Sequence, residues 1–147
     1  LNYLHSKYSK VIENEAISIH IRRGDYLKFP NHHPVMSPAY YIEAINQIIN
    51  KSSAGVYAVF SDDIEWCKKV FGNSKEIIYI EREDDYMDLY LMSLCKHNII
   101  ANSTFSWWGA WLGKHPDKIV IAPKQWFGPA IVDKPTTDLI PESWIRL

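Results

Sequence analysis

Short runs of β-branched and apolar residues alternate along this chain with longer stretches of helical periodicity. Strands are predicted at residues 15–21, 56–60, 76–80, 97–101 and 118–122. Amphipathic helices are predicted between them, at residues 39–50, 62–72, 86–96 and 102–112. Because a helix separates each strand from the next, the strands should run parallel, with helices covering both faces. The sequence therefore predicts an α/β fold, doubly wound around a mainly parallel five-stranded sheet.

The ends of these elements carry recognisable signals. Ser37 is a suitable N-cap with Pro38 at the first helical position, and Ser61 or Asp62 is suited to cap the next helix, which should stop near Gly72. Residues 2–14 read as a weakly helical or coil lead-in. Residues 123–147 contain four prolines and are expected to form an irregular C-terminal segment that wraps the domain.

A length of 147 residues fits one domain with a substantial core, so residues 1–147 are expected to form a single domain. The formal net charge of −1 provides no global field for binding nucleic acid or anionic membranes. Any anion site must therefore be a local cluster of cations. Cys67 and Cys95 lie in predicted helices without metal-ligand spacing, which favours buried free thiols over a disulfide.

Polar side chains follow the predicted strands at the points where they end. Parallel sheets bind ligands beyond the carboxyl ends of their strands, and all of these groups should meet at that edge. The groups concerned are Arg22 and Arg23, then residues 61–63, the acidic run 81–85, residues 102–104, and Lys124.

Arg22 and Arg23 follow the first strand directly. A guanidinium binds phosphate through two parallel hydrogen bonds and stays charged at any relevant pH, and Gly24 permits close approach of a backbone. Neighbouring strand residues point to opposite faces, so one arginine should face the ligand crevice while the other is structural. The alternative is a plain salt bridge to Asp25 or to an acidic loop.

His20 lies on the same strand face as Arg22. It is either a satisfied core residue or a hydrogen-bond donor to a phosphate or sugar oxygen. His32 and His33 have no carboxylate or thiol at metal-ligand spacing, so no metal site is expected.

Two further strand ends carry candidate ligands. Ser61, Asp62 and Asp63 include a helix cap, and a second carboxylate among them is suited to accept hydrogen bonds from a base or ribose. Residues 102–106 open a helix, whose free N–H groups and dipole favour an anion, although capping alone also explains them. We interpret Trp107, Trp108 and Trp111 as core and packing residues rather than as a sugar platform.

The chain resembles the C-terminal domain of the α-1,2-fucosyltransferases of glycosyltransferase family 11. Residues 20–26, His-Ile-Arg-Arg-Gly-Asp-Tyr, match the His-x-Arg-Arg-x-Asp motif that α-1,2-, α-1,6- and protein O-fucosyltransferases share. Residues 59–63, Val-Phe-Ser-Asp-Asp, match the second conserved strand end. Residues 88–112, with Asn-Ser-Thr-Phe-Ser-Trp-Trp-Gly-Ala-Trp-Leu at their end, are similar to the most distinctive block of the family.

The resemblance implies a Rossmann-like half of a GT-B fold, GDP-fucose as donor, inversion at the anomeric carbon, and neither a metal nor another cofactor. Arg22 and Asp25 are the catalytic candidates, Arg22 as leaving-group stabiliser and Asp25 as a base or as a residue that orients Arg23. Donor binding would involve the following residues: His20, Arg22, Arg23, Ser61, Asp62, Asp63, Asn102, Ser103, Thr104 and Phe105.

The resemblance also implies partners that this chain lacks. Family members begin with a glycine-rich N-terminal domain, and nothing like it occurs in residues 1–147, so the chain looks like an inactive donor-binding half that needs that domain and a glycan acceptor. Peripheral membrane association of the full-length protein is compatible with this. With no signal peptide or membrane span in the sequence, a cytoplasmic location is expected.

Two alternatives stay open. One is a non-catalytic interaction module that docks a partner through its tryptophans, which requires them to lie exposed in one patch. The other is a glycosyltransferase domain for a different nucleotide sugar.

Overall fold

The computed structural model describes residues 1–131 and 133–147, and within them helices and strands alternate for most of the chain. Short 3-10 turns lie at Asp25–Lys28 and Pro129–Ile131. The helices and strands, in chain order, are α1 (Asn2–Lys7), α2 (Ser9–Glu13), β1 (Ile17–Ile21), α3 (Pro38–Ile49), β2 (Tyr57–Ser61), α4 (Ile64–Phe71), β3 (Ile77–Tyr79), α5 (Asp85–Leu94), β4 (His97–Ile99), α6 (Thr104–Leu112), β5 (Val120–Ala122) and β6 (Ile145–Arg146).

The strands form one parallel sheet in the order β3-β2-β1-β4-β5-β6. Successive strands run outward from β1 to β3, and the chain then returns to place β4 on the other side of β1. This reversal is a topological switch point, where open parallel sheets leave a crevice at the carboxyl ends of their strands. The predicted α/β fold with a mainly parallel sheet is confirmed.

The two faces of the sheet have separate cores. Ile17, Ile19 and Ile21 pack against α3 and α4 on one face, with the fully buried Tyr41 at the centre. On the neighbouring strand β2, Ala58 and Phe60 point to the opposite face, where α1, α2 and α5 cover them. Helix α6 packs beside β4 and β5 in a third cluster with the C-terminal segment. This alternation decides which side of the sheet each residue at the end of β1 will face.

The predicted caps are partly confirmed. Ser37 caps α3 through a hydrogen bond from the Tyr40 N–H, and Pro38 is the first helical residue. Helix α4 begins later than predicted, because Asp63, rather than Ser61 or Asp62, accepts the Trp66 N–H at 3.2 Å. Gly72 ends that helix with a φ of 73°.

The C-terminal segment contains more regular structure than its prolines indicated. Its last residues form β6, which pairs in parallel with β5 and adds a sixth strand to the five predicted. A two-residue strand has no periodicity from which it can be recognised. Both cysteines are buried and free, and none of the helices in the described ranges has the length and apolarity needed to cross a bilayer.

The C-terminal segment is fastened to the loop that follows β1. The Gly128 N–H donates to the His32 carbonyl and the Ala130 N–H to the Asn31 carbonyl, each at 2.9 Å. A side chain at position 128 would overlap the Asn31 carbonyl, so a glycine is required there. Residues 31–32 and 128–130 thus pack backbone against backbone.

Candidate functional site

A cavity of about 170 Å³ lies at the carboxyl edge of the sheet, on the α5 and α6 side. We call it the central cavity, and its lining residues are His20, Arg22, Phe60, Ser61, Asp62, Asp85, Asp88 and Phe105. A wider cleft of about 350 Å³ shares Ser61, Asp62, Asp85 and Asp88 and continues past the end of β3. Larger depressions exist elsewhere, one of about 590 Å³ between α3 and residues 123–125 and one of about 580 Å³ beside Lys7 and Lys68, but neither is lined by the residues that end β1.

Arg22 reaches the central cavity from the end of β1. Its Nη2 donates to Asp25 Oδ1 at 2.8 Å, and its guanidinium lies 5.2 Å from the centre of the Tyr26 ring. Its buried Nε lies 3.4 Å from Asp62 Oδ2 without the alignment of a hydrogen bond. Arg22 is therefore a cation with incompletely used donors at the edge of the central cavity.

Arg23 points to the other face of the sheet, as strand alternation predicts. Its Nε donates to Asp63 Oδ2 at 3.2 Å, and its guanidinium lies 4.0 Å from the centre of the Trp66 ring on α4. Arg23 lines neither the central cavity nor the adjoining cleft. These contacts connect α4 to the loop of residues 22–37 that follows β1, which we call the arginine loop.

Asp62 holds the backbone of the arginine loop. Its Oδ1 accepts the Arg23 N–H at 2.9 Å, and its carboxylate lies against Gly24 so closely that a methyl group there would overlap Oδ2. Ser61 supports the same junction, because its hydroxyl donates to the Ile21 carbonyl at 2.7 Å. Asp25, predicted from the sequence as a base or as a residue that orients Arg23, pairs with Arg22 in the structure.

Gly24→Ala should therefore damage the site more than the fold. The added methyl group has to displace the Asp62 carboxylate, which shifts Arg22, and displacements of this kind cost about 10- to 100-fold in function. We expect the affinity for GDP, the ligand that the family resemblance implies, to fall by that factor in calorimetry, while overpacking lowers the free energy of unfolding by about 1–3 kcal/mol. Gly55→Ala is the control, because no atom of the described residues lies within 4 Å of a methyl group at that position.

His20 is buried beside Phe105, with a ring-centroid distance of 5.6 Å. Burial, aided by the positive charge of Arg22, lowers the pKa of His20 to about 3, so the imidazole is neutral at any ordinary pH. Its Nδ1 is buried and makes no hydrogen bond within the described part of the chain. A neutral imidazole with an unused ring nitrogen can accept from, or donate to, a bound polar ligand.

Asp88 is a cavity residue that the sequence reasoning missed. Burial, reinforced by the charges of Asp85 and Glu83, raises the pKa of Asp88 to about 7. Its Oδ1 is buried and has no hydrogen-bond partner among the described residues. An acid in the first turn of a helix is normally explained by the helix dipole. The available signal was its position, one turn into an amphipathic helix directly after the acidic run.

The start of α6 contributes to the cavity through one residue. Phe105 lines it, Ser103 is buried at the N-cap position without a side-chain capping bond, and Thr104 is exposed. The Asn102 amide points elsewhere and donates to the carbonyls of Pro34 and Trp126, both at 3.0 Å. Asn102 therefore connects loops, and its backbone carbonyl also accepts the Tyr26 hydroxyl at 2.9 Å.

The tryptophans of α6 divide into two kinds. Trp107 packs in the third core cluster and donates to the Leu139 carbonyl at 2.7 Å, as expected of a core residue. The interpretation as core is wrong for Trp108 and Trp111, whose side chains are 50% and 53% exposed. Their rings lie 5.0 and 5.3 Å from that of Trp107, so the three form one connected aromatic cluster.

Several known proteins are similar in sequence to this chain. The family model described as glycosyl transferase family 11 matches residues 7–146. The O-antigen biosynthesis glycosyltransferase WbnK of Escherichia coli is 45% identical over 95% of this chain and 48% of its own length. An Escherichia coli α-1,2-colitosyltransferase is 42% identical over 90% of this chain and 47% of its own length.

A more distant sequence relative and two solved structures are also similar to this chain. Galactoside α-(1,2)-fucosyltransferase 1 of Leontocebus fuscicollis is 32% identical over 65% of this chain and 28% of its own length. Two structures of the fucosyltransferase NodZ, one from Bradyrhizobium and one soaked with GDP-fucose, superpose with TM-scores of 0.54 and 0.52. They cover 76% and 74% of this chain and 40% and 39% of NodZ, and at 14% identity they speak for the fold alone. The chain spans about half the length of the first curated relatives it matches.

Proposed function

The chain belongs to glycosyltransferase family 11, and we propose that it binds GDP-fucose as the donor half of an inverting α-1,2-fucosyltransferase acting on a galactose of a glycan. One observation carries the proposal: a single cavity joins a guanidinium suited to a diphosphate with a half-buried carboxyl group and an aromatic ring suited to a base. This chain alone is proposed to bind the donor without transferring the sugar. Transfer is proposed for a protein that also provides an acceptor half.

Arg22 is proposed to bind the diphosphate. A guanidinium forms charge-assisted hydrogen bonds to phosphate oxygens and can stabilise the charge that develops on GDP as it leaves. In the inverting reaction the acceptor oxygen bonds to the anomeric carbon, the bond from that carbon to the phosphate oxygen breaks, and the hydroxyl proton passes to a base. Asp25, beside Arg22, is the candidate base in this chain. We propose that the reaction needs neither a metal ion nor a cofactor, because Arg22 supplies the charge.

Asp88 is proposed to recognise the guanine. Guanine presents two adjacent donors, N1–H and the 2-amino group, which a carboxylate can accept in parallel. Asp88 Oδ1, which has no hydrogen-bond partner in the described part of the chain, and the neighbouring Phe105 ring supply an acceptor and an apolar surface in the same cavity. Uracil offers only one donor on the corresponding edge, so the site should prefer GDP to UDP.

Asp88→Asn should weaken GDP binding by about 10- to 100-fold, which corresponds to one hydrogen bond to a charged group. Wild-type affinity should rise as pH increases through about 7, because binding requires the ionised carboxylate. The variant should lose this pH dependence and the preference for GDP over inosine diphosphate, which lacks the 2-amino group. Equal GDP affinities of variant and wild type would contradict the assignment.

The same substitution has an independent effect on stability. The pKa of Asp88 is higher in the folded state than in the unfolded state, so folded protein holds more protons between about pH 4 and 7 and loses stability as pH rises through that window. Asp88→Asn should therefore raise the free energy of unfolding at pH 8 by about 1–2 kcal/mol, a value reduced for partial exposure, and change it little at pH 4. Thermal unfolding at the two pH values separates this effect from ligand binding.

Isothermal titration calorimetry with GDP, GMP and UDP tests the proposed function. We expect GDP to bind more tightly than GMP, because only GDP offers the second phosphate, and UDP to bind most weakly. Binding of UDP as tight as that of GDP would favour a different nucleotide sugar. Absence of GDP binding would favour the interaction module, for which the exposed Trp108 and Trp111 provide a surface.

A second donor is favoured by a specific observation. The colitosyltransferase is 42% identical to this chain, against 32% for the fucosyltransferase. Colitose differs from fucose only in lacking the 3-hydroxyl, so both donors present the same GDP to the central cavity. Competition of GDP-fucose and GDP-colitose against bound GDP distinguishes the two, since the preferred sugar adds affinity beyond that of GDP.

A further inference from the structure

We propose that Asp25 is an exchangeable counter-ion for Arg22, which holds the guanidinium while the central cavity is empty and gives up this contact when the donor diphosphate binds. The proposal rests on the proposed function, since it takes that diphosphate as the competing anion. It adds a positioning role for Asp25 in the step that precedes any transfer of sugar.

Two carboxylates compete for Arg22 in the structure. Asp25 Oδ1 accepts from Nη2 at 2.8 Å, and Asp62 Oδ2 lies 3.4 Å from Nε. A bidentate grip on phosphate needs two of the guanidinium donors on one side. Asp25 already accepts from one of the two N–H groups of Nη2, so it competes with the diphosphate for that nitrogen.

Asp62 cannot move away from Arg22 without breaking other contacts. It accepts the Arg23 N–H at 2.9 Å and is packed against Gly24, so moving it would release the backbone of the arginine loop. Its side chain is only 28% exposed. Asp62 thus remains in place as a fixed support of the loop.

Asp25 has the opposite properties. Its side chain is 60% exposed, and within the described residues Arg22 is its one ion-pair partner. Hydrogen bonding from Arg22 lowers the pKa of Asp25, so the carboxylate is ionised and occupies the guanidinium at neutral pH. An exposed carboxylate can rotate into water at low cost, since exposed ion pairs contribute little stability.

The exchange predicts that Asp25 competes with the ligand. Removing the carboxylate should tighten GDP binding by about two- to fivefold, the range that corresponds to breaking one exposed ion pair. Guanosine, which has no phosphate, should bind with unchanged affinity. A purely structural role for Asp25 would instead weaken both ligands or neither.

The test is calorimetry of GDP and guanosine with wild type, Asp25→Asn and Asp25→Ala. The matched control is Asp84→Asn, which removes an exposed acid from the same edge of the sheet. The Asp84 side chain makes no capping bond within the described residues, and it lines neither the central cavity nor the adjoining cleft. Thermal unfolding checks that each variant is folded. We expect both Asp25 variants, but not the control, to gain affinity for GDP only.

The outcomes separate the two proposals. Wild-type protein that binds no GDP contradicts the proposed function and the counter-ion with it. Wild-type protein that binds GDP, together with Asp25 variants that bind it equally or more weakly, overturns the counter-ion alone. An equal gain in the Asp84 control also overturns it, because the effect would then come from net charge.

Discussion

Arg22→Ala is expected to weaken GDP binding by about 100-fold or more, the loss of two charge-assisted hydrogen bonds at about 1.5–3 kcal/mol each. Arg22 is the arginine of the first strand end that lines the central cavity, and its buried Nε makes no hydrogen bond among the described residues. Calorimetry with GDP measures the loss. Guanosine binding should change little, because it involves the base end of the cavity.

Two further variants sharpen this prediction. Arg22→Lys retains the charge without the planar fork and should lose less affinity than alanine. Arg146→Ala removes an exposed cation from β6, which is an edge strand and is not a neighbour of β1. This variant should leave GDP affinity unchanged. If Arg22→Ala binds GDP as tightly as wild type, Arg22 is a structural residue and the diphosphate assignment is wrong.

Tyr41→Ala should lower the free energy of unfolding by about 3–5 kcal/mol, as for other large aromatic residues truncated in a core. Tyr41 is fully buried on the α3 side of the sheet and contacts the rings of Tyr40 and Phe71. Its hydroxyl also donates to the His20 carbonyl at 3.0 Å, so it supports β1 directly behind the central cavity. Total stabilities of domains are about 5–15 kcal/mol, and a loss of this size is a large part of that.

Chemical denaturation measures the loss of stability. Two control variants separate the contribution of the buried ring from that of the hydroxyl group and from the effect of changing any residue of α3. Tyr41→Phe keeps the ring and should cost only about 1 kcal/mol for the lost hydrogen bond. Ile42→Ala alters the neighbouring residue of the same helix, which is 52% exposed, and should stay within about 0.5 kcal/mol of wild type. Similar losses for Tyr41→Ala and Ile42→Ala would contradict the described packing of α3.

The arrangement at the end of β1 was accessible from sequence because it follows from local geometry. Alternation along a strand separates His20 and Arg22 from Arg23, and a parallel sheet brings Asp62 to the same edge. The three consecutive polar residues 61–63 are all suited to cap a helix, so the choice of Asp63 depends on where α4 packs. The sequence therefore predicts the end of β1 more accurately than the first residue of α4.

Asp88 and Asn102 depend on contacts between distant parts of the chain. Asp88 lies in the cavity only because α5 crosses over the sheet and presents its first turn beside His20 and Phe105. The Asn102 amide binds carbonyls 68 and 24 residues away, so its polar side chain connects loops where a ligand role was predicted. No periodicity in the sequence carries such information.

The bonds from Asn102 to Pro34 and Trp126 also limit where this chain can be shortened. Removing the residues after β5 would leave the Asn102 amide short of one acceptor and would expose the backbone of residues 31–32, to which Gly128 and Ala130 are bonded. The loop so released includes Tyr26, whose ring lies against the Arg22 guanidinium. The C-terminal residues therefore act as a brace for the arginine loop, and a minimal donor-binding unit has to retain them.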